Sequence, residues 1–448
     1  MNTVAIPIET KVREFDGKLW LGLNLVSRGY RVILGPNSEV SSTFDITEPD
    51  IYFTKDPGDT NIDTFKRLQS AGISVCGIDT EGAVFQSIDQ FTYNKKNLLN
   101  YIDALFLWGE KLKDELEKYY NDINNLYVSG NPRFDLLQPH LRFIYEQRAR
   151  SYNESYGDYI LITCNFGSAN TINPGGVDSE GTYEKDRKSY THTNRIFHLF
   201  IEAMYFLQKE FPNTNIIIRP HPSENSSTYE NTFAGYDHVH VEDSGDARAW
   251  IAGASVLIHH TSTTGIESAL MGIPVISYRP VQNENYESEL PMVASEQASS
   301  REQLNKYVTQ YHKQNQLYEL STEQESYLKK YFYNIDMCTV EVICDVIDSL
   351  KISNKQQYQT LKPKTKGRIE RRVKASSWAT QVVGLYDMFQ RLNGNKVTRD
   401  RRRYTRQKFP GLKQEEIIDQ VKEFESVLEL GSVSIEKVPL TNDTFMLQ

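Results

Sequence analysis

The chain has 448 residues, 24% of them charged and 39% apolar, a balance that fits soluble globular proteins and excludes collagenous, disordered and transmembrane classes. Its 59 acidic and 50 basic residues leave a net charge of -9, which argues against a protein whose whole surface embraces nucleic acid. At roughly 150 residues per domain the length corresponds to two or three domains.

No window approaches the roughly 18 uninterrupted apolar residues of a membrane helix. Glu9 stands where a secretory signal would continue its apolar core, so export is not expected. Cys76, Cys164, Cys338 and Cys344 are scattered, without a Cys-x-x-Cys pair or a nearby histidine at zinc spacing. They read as reduced core thiols of a cytoplasmic protein.

Short apolar runs bounded by Gly, Pro, Asn or Asp alternate with longer segments of helical period, the pattern of βαβ units around parallel sheets. Residues 4–7 read as a strand. Val12, Phe15, Leu19, Leu23 and Val26 then recur on one helix face that ends at Gly29. Further strands are expected at 31–34, 51–53, 73–78, 104–108 and 126–128, with a helix at 111–120. Residues 141–158 are polar and partly helical and read as a passage between domains. A second series follows: strand 159–164, a helix around 194–211, strands 215–219 and 239–241, helix 247–254, strand 256–259, helix 264–271 and strand 274–278.

The fold class expected is therefore α/β, with two Rossmann-like, doubly wound domains facing a cleft. The expected boundaries are 1–145 for an acceptor domain, 146–350 for a nucleotide-sugar-binding domain and 351–448 for a basic helical extension. Within 351–410 there are 17 basic and 3 acidic residues, so this segment carries +14 and the remainder -23. Trp378, Val382, Val383, Leu385, Met388 and Phe389 lie at helical spacing between its densest basic runs. The segment reads as a solvated appendage on the acidic body, as an anchor to anionic lipid, or, with no supporting motif, as a nucleic-acid contact.

In open α/β sheets ligands sit beyond the carboxyl ends of the strands. Strand 215–219 ends in Arg219-Pro220-His221-Pro222, where the prolines stiffen the turn and the guanidinium and imidazole suit a phosphate. Strand 256–259 runs into His260-Thr261-Ser262-Thr263-Thr264-Gly265-Ile266-Glu267. Small hydroxyl residues and a glycine at a helix start offer backbone donors and the helix dipole to an anion, so Ser262, Thr263, Thr264 and Gly265 form a candidate phosphate cradle. Glu267, one turn on, is placed to accept hydrogen bonds from a ribose. The alternative for the Ser/Thr run is plain helix capping.

The first half contributes acids. Glu9, Arg13 and Glu14 follow the first strand, and Asp79-Thr80-Glu81-Gly82 follows strand 73–78; such carboxylates suit a general base or a nucleophile toward a sugar. Gly130-Asn131-Pro132-Arg133-Phe134-Asp135 and Asn165-Phe166-Gly167 mark two more strand ends, with Asn131, Arg133 and Asn165 as candidate contacts. His192, His198, His238 and His240 read as surface or core histidines. No metal and no cofactor are expected, because no Asp-x-Asp pair stands at a suitable strand end.

Together Pro7-Ile8-Glu9-Thr10-Lys11-Val12-Arg13-Glu14, Asp79-Thr80-Glu81-Gly82, Gly130-Asn131-Pro132-Arg133-Phe134-Asp135-Leu136-Leu137, Arg219-Pro220-His221-Pro222 and Ser262-Thr263-Thr264-Gly265-Ile266-Glu267 resemble the bacterial surface carbohydrate biosynthesis proteins. That family is similar to GT-B glycosyltransferases, and the His-Pro pair with a following Ser/Thr site is similar to transferases of CMP-sialic acid and CMP-Kdo and to teichoic acid polymerases that use CDP-glycerol or CDP-ribitol. Thr80 separates two acids that the family places side by side.

The resemblance implies a metal-independent GT-B glycosyltransferase that moves a sugar from a CMP-activated or related donor to a glycan or lipid-linked glycan acceptor of surface polysaccharide or lipopolysaccharide. In this reading Arg219, His221, His260, Ser262, Thr263, Thr264 and Gly265 hold the leaving phosphate. Glu267 holds the ribose, and Glu81, with Asp79 or Glu9 as substitute, acts on acceptor or sugar. The protein would work in the cytoplasm, at the inner face of the membrane where its basic segment attaches, and without nucleic acid. The alternatives are a UDP-N-acetylhexosamine 2-epimerase, a CDP-polyol phosphotransferase and a noncatalytic nucleotide-sensing subunit.

Overall fold

The computed structural model describes residues 1–55, 57–79, 95, 97–120, 123–171, 183–314, 316, 318–335, 337–352, 409–425, 427–428 and 431–448. They fall into two compact units. One is drawn from Met1–Gly82, Ile88–Asp135 and Asp336–Gln448, the other from Leu136–Ile335.

The first unit is built on β1 (Thr3–Ile8), β2 (Arg31–Pro36), β3 (Ile51–Thr54), β4 (Ser74–Ile78), β5 (Ala104–Leu107) and β6 (Leu126–Val128), parallel throughout in the order β2-β1-β3-β4-β5-β6. All six residues of β1 are buried, as expected of a central strand covered on both faces. Strand order reverses between β1 and β3, so the loops after these two strands flank the natural crevice of this sheet.

The helix Lys11–Ser27 departs from the single apolar stripe its sequence shows. Residues 14–23 and Leu25 are all buried, including Glu14, Asp16 and Lys18, whereas Val12 is 42% exposed. The reason lies at the far end of the chain. The helix Gln414–Glu425 stacks Phe424 on Trp20 with centroids 5.3 Å apart, and Gln420 Nε2 donates to Asp16 Oδ1 at 3.0 Å. Lys18 Nζ meets Glu14 Oε2 at 2.6 Å and also donates to the Pro7 carbonyl. Glu14 and Lys18 are thus paired and Asp16 is hydrogen-bonded, the conditions under which burial of charge is tolerated.

The expected helical extension over 351–448 is corrected for its last forty residues. After the helix Gln414–Glu425 come β13 (Ile435–Lys437) and β14 (Phe445–Leu447), an antiparallel hairpin whose second strand pairs antiparallel with β2. Gly35 makes this docking possible: a Cβ there would lie 2.8 Å from the Asp443 carbonyl. The helix Thr339–Ser349 also belongs to this unit and not to the 146–350 domain expected. The carboxylate of Asp135, fully buried, accepts from the backbone N–H groups of Thr339 at 2.9 Å and Val340 at 3.2 Å and so caps that helix. The densest basic runs, at 371–374 and 399–406, lie outside the described residues.

The second unit carries β7 (Tyr159–Thr163), β8 (Asn215–Arg219), β9 (Val239–Val241), β10 (Ala254–His259), β11 (Val275–Tyr278) and β12 (Glu296–Ala298). The sheet is parallel, in the order β12-β11-β10-β7-β8-β9. Counted from β7, this is the 3-2-1-4-5-6 order of dinucleotide-binding sheets, with the switch point between β7 and β10. Residues 141–158 are not a passage: the helix Phe143–Tyr156 packs in this unit, with Tyr152 stacked on Trp250 at 3.8 Å and Asn153 Nδ2 donating to the Gly253 carbonyl at 2.8 Å.

Candidate nucleotide-binding site

Strand register brings the expected residues of the second unit to one edge. Thr163 pairs with Arg219 on one side and with His259 on the other, so the ends of β8, β7 and β10 lie level across about 10 Å of sheet. The segments that leave these ends carry Asn165, which is exposed, His221, and the run from His260 to Gly265.

The turn after β10 is held by a hidden imidazole. His259 is fully buried, and burial pushes its pKa down to about 3, so the ring is neutral. Its Nδ1 accepts from the Ser262 N–H at 3.1 Å, which leaves the proton on Nε2 for Ser295 Oγ at 2.9 Å; Ser295 in turn donates to the Pro291 carbonyl at 2.7 Å. Gly265 leaves room for this ring, since a Cβ there would overlap it. Thr261, with φ of 36°, takes the left-handed conformation that turns the chain into the helix Thr263–Leu270, a strained geometry of the kind that collects at functional sites.

At the switch point the hydroxyls form a directed chain. Thr163 Oγ1 lies 2.8 Å from Thr264 Oγ1, which donates to Ser262 Oγ at 2.9 Å. Ser262 Oγ also accepts the Thr264 N–H at 3.4 Å as the helix cap. With Thr264 donating to Ser262, the Thr163 hydroxyl donates to Thr264, and the Ser262 proton remains for a further acceptor. That proton, the Thr263 N–H and the helix dipole all favour an anion here. Helix capping and anion binding are therefore not exclusive: the cap orders the hydroxyls that would face the ligand. The Gly265 N–H, by contrast, is engaged by the Ser262 carbonyl at 3.0 Å.

His221 is half-buried. Its Nδ1 accepts the Ser223 N–H at 3.2 Å, which in the neutral ring places the proton on Nε2 as a donor. Glu224, a residue whose role the sequence left unassigned, pins this turn. Its carboxylate takes the N–H groups of Phe166 at 2.8 Å and His221 at 3.3 Å and the Tyr229 hydroxyl at 2.5 Å, while burial raises its pKa.

Two expected phosphate ligands are corrected. The Arg219 guanidinium, only 9% exposed, turns away from β10 and donates to the carbonyls of Glu242 at 3.1 Å, Ser244 at 2.5 Å and Gly245 at 3.0 Å, 5.4 Å above the Trp250 ring. Desolvation there lowers its pKa, and the side chain acts as a clamp on the loop after β9. His260 is also buried, with Nε2 3.3 Å from Glu287 Oε1 and Nδ1 3.4 Å from Thr261 Oγ1. Glu267 is 7% exposed, and its carboxylate has no hydrogen bond or ion pair among the described residues.

In the first unit Glu81 lies outside the described residues. Asp79, at the end of β4, meets Lys95 Nζ at 2.9 Å, and its carbonyl accepts from Trp108 Nε1 at 2.8 Å. Glu9, after β1, pairs with Lys55, after β3, across the switch point. Each of these carboxylates is charge-compensated by a lysine. Glu14 reaches back to the N–H groups of Thr10 at 2.9 Å and Glu9 at 3.2 Å. Arg13, Lys18, Asn131 and Arg133 line a cavity of about 30 Å³, room for one water. Arg133 lies against Trp108 and Phe134, with its guanidinium 5.1 and 4.8 Å from their ring centroids, and Asn131 Oδ1 caps its N–H at 3.1 Å.

No family model and no curated protein matches the chain. Among solved structures it is similar to the UDP-GlcNAc 2-epimerase of Methanocaldococcus jannaschii, with 13% identity over 78% of this chain and 99% of that one and a TM-score of 0.50. It is also similar to the UDP-GlcNAc 2-epimerase of Neisseria meningitidis, with 11% identity, 78% and 100% coverage and a TM-score of 0.48. A wall teichoic acid polymerase matches with 10% identity, 78% and 87% coverage and a TM-score of 0.49. The likeness to the first of these bears on architecture: the chain carries a pair of Rossmann-like α/β units, the fold of GT-B enzymes.

Proposed function

We propose that this protein is a GT-B sugar-nucleotide enzyme whose second unit binds the donor phosphate on the turn between β10 and the helix Thr263–Leu270. It would transfer a sugar, a Kdo- or sialic-type acid, from CMP to a surface polysaccharide or lipopolysaccharide acceptor. The observation that carries this reading is the Thr163–Thr264–Ser262 hydroxyl chain at the switch point, which leaves the Ser262 hydroxyl proton for a further acceptor at the start of the helix. Ser262, Thr263 and the Nε2 of His221 supply fixed donors to the departing phosphate, and Glu267 receives the ribose hydroxyls. Charge that develops on the leaving group is best stabilised by donors that need no reorganisation.

In the same proposal the first unit holds the acceptor. Glu81 is its general base or nucleophile, with Asp79 and Glu9 as substitutes, and Arg13, Asn131 and Arg133 are further contacts to the acceptor. The basic segment at 351–410 attaches to anionic lipid at the inner face of the membrane. Acceptor-dependent release of CMP, CDP or UDP from matched donors tests the reading. His221→Ala is expected to lower turnover about 10²- to 10³-fold with unfolding in urea unchanged; equal loss of turnover and stability would make His221 structural.

A second reading comes from the fold shared with the Methanocaldococcus jannaschii UDP-GlcNAc 2-epimerase. Incubation with UDP-GlcNAc alone separates the two: an epimer formed without acceptor favours the epimerase, and an unchanged donor favours the transferase.

A further inference from the structure

Behind the hydroxyl turn the second unit holds a cluster that donor binding does not use. His192 on the helix Tyr183–Glu210, His260 at the end of β10 and Glu287 in the segment after β11 come from three separate elements, and each offers one ligand atom within 4.8 Å of the others. The three residues are 9, 7 and 4% exposed. His260 Nε2 and Glu287 Oε1 stand 3.3 Å apart. That is the edge of a tetrahedron whose corners lie about 2.0 Å from its centre, the length of zinc bonds to imidazole and carboxylate.

The third corner supplies an independent sign. His192 Nε2 is buried and has no hydrogen-bond partner among the described residues, whereas buried polar atoms are as a rule satisfied. The Glu287 carboxylate is already organised from outside. Arg279 donates through Nε to Oε1 at 3.1 Å and through Nη2 to Oε2 at 2.5 Å, and the Asn283 N–H donates to Oε2 at 3.1 Å. Donors of this kind orient metal-ligating carboxylates in established sites.

We propose that His192, His260 and Glu287 form a site for a divalent transition-metal ion of the zinc type. Two imidazoles and one carboxylate suit zinc and its neighbours, whereas magnesium and calcium take oxygen ligands. Three protein ligands leave a fourth position for water or for an oxygen of a ligand. Because His260 precedes Ser262 by two residues, the ion ties the long helix and the segment before the helix Glu289–Val293 to the base of the hydroxyl turn.

The test uses tag-free full-length protein, stripped with a chelator, reloaded with Zn²⁺ or Co²⁺ and passed through gel filtration. The expected result is one metal ion retained per chain and, with Co²⁺, visible ligand-field bands of tetrahedral strength. His192→Ala should lower affinity by more than about 100-fold while its far-UV circular dichroism and metal-free urea unfolding match the parent. His192→Gln, which fills the same space, should behave alike and guards against a packing defect. Substoichiometric metal in the parent protein, or equal retention by both variants, would overturn the assignment.

Discussion

Gly265→Ala is the substitution whose sign the structure reverses. Gly265 is the third residue of the helix Thr263–Leu270, and replacing an interior helical glycine by alanine ordinarily stabilises by up to about 1 kcal/mol. Here the added Cβ would overlap the His259 ring. That ring is fully buried and cannot retreat without losing the Ser262 N–H at one nitrogen and Ser295 Oγ at the other, each worth about 1 kcal/mol. Overpacking in a close-packed core costs about 1–3 kcal/mol, so the net expectation is a loss of about 1–2 kcal/mol in urea unfolding followed by circular dichroism. Nucleotide affinity should fall with it, because Ser262 loses its anchor. In a His259→Ala background the obstacle is gone, and Gly265→Ala should then stabilise; a coupling of this size is what a double-mutant cycle resolves. A stabilised single Gly265→Ala variant would show that the His259 ring is not fixed against this helix.

Three further outcomes follow from other parts of the molecule. Thr264→Val keeps the shape but cuts the hydroxyl chain, and calorimetric titration should find nucleotide binding weaker by up to about tenfold, because the Ser262 hydroxyl loses the neutral hydrogen bond that orients it. Burial lifts the Asp135 carboxyl to about 6 from its ordinary 3.8 in spite of the bonds it accepts from the Thr339 and Val340 N–H groups and from Cys338. The folded state therefore holds this proton more tightly than the unfolded one, and the wild type loses stability as pH rises from about 4 to 6. Relative to Asp135→Asn, the loss should reach about 3 kcal/mol in unfolding measured at pH 4 and pH 7; a pH-independent difference would contradict the assignment. Phe424→Ala removes the ring that covers Trp20 and should cost about 3–5 kcal/mol, whereas a dispensable C-terminal helix would show almost no change.

Most strands of both sheets were legible because they are short apolar runs between turn residues, and burial on both faces leaves no ambiguity of period. The strands that escaped were β12, β13 and β14, three residues each, too short for a period to show; β12 and β13 are also polar in part and lie at sheet edges. The helix Lys11–Ser27 shows the same limit: its outer face looked solvent-exposed because the residues that cover it lie some 400 positions away. At the site, sequence located the right strand ends but not the direction of each side chain. Adjacent histidines at the end of β10 do opposite things, His259 bracing the hydroxyl turn and His260 facing Glu287. Arg219 is claimed by carbonyls of the loop after β9, which no motif announces. A lone His192 on a long helix gives no local sign of its partners.

The most direct measurement is the structure of crystals soaked with CMP, CDP or UDP. The phosphate is expected within hydrogen-bond distance, about 3 Å, of Ser262 Oγ and the Thr263 N–H, with His221 Nε2 as a further donor and the ribose on Glu267. A nucleotide bound elsewhere, or a turn after β10 in which Ser262 and Thr263 face the protein interior, would contradict this placement.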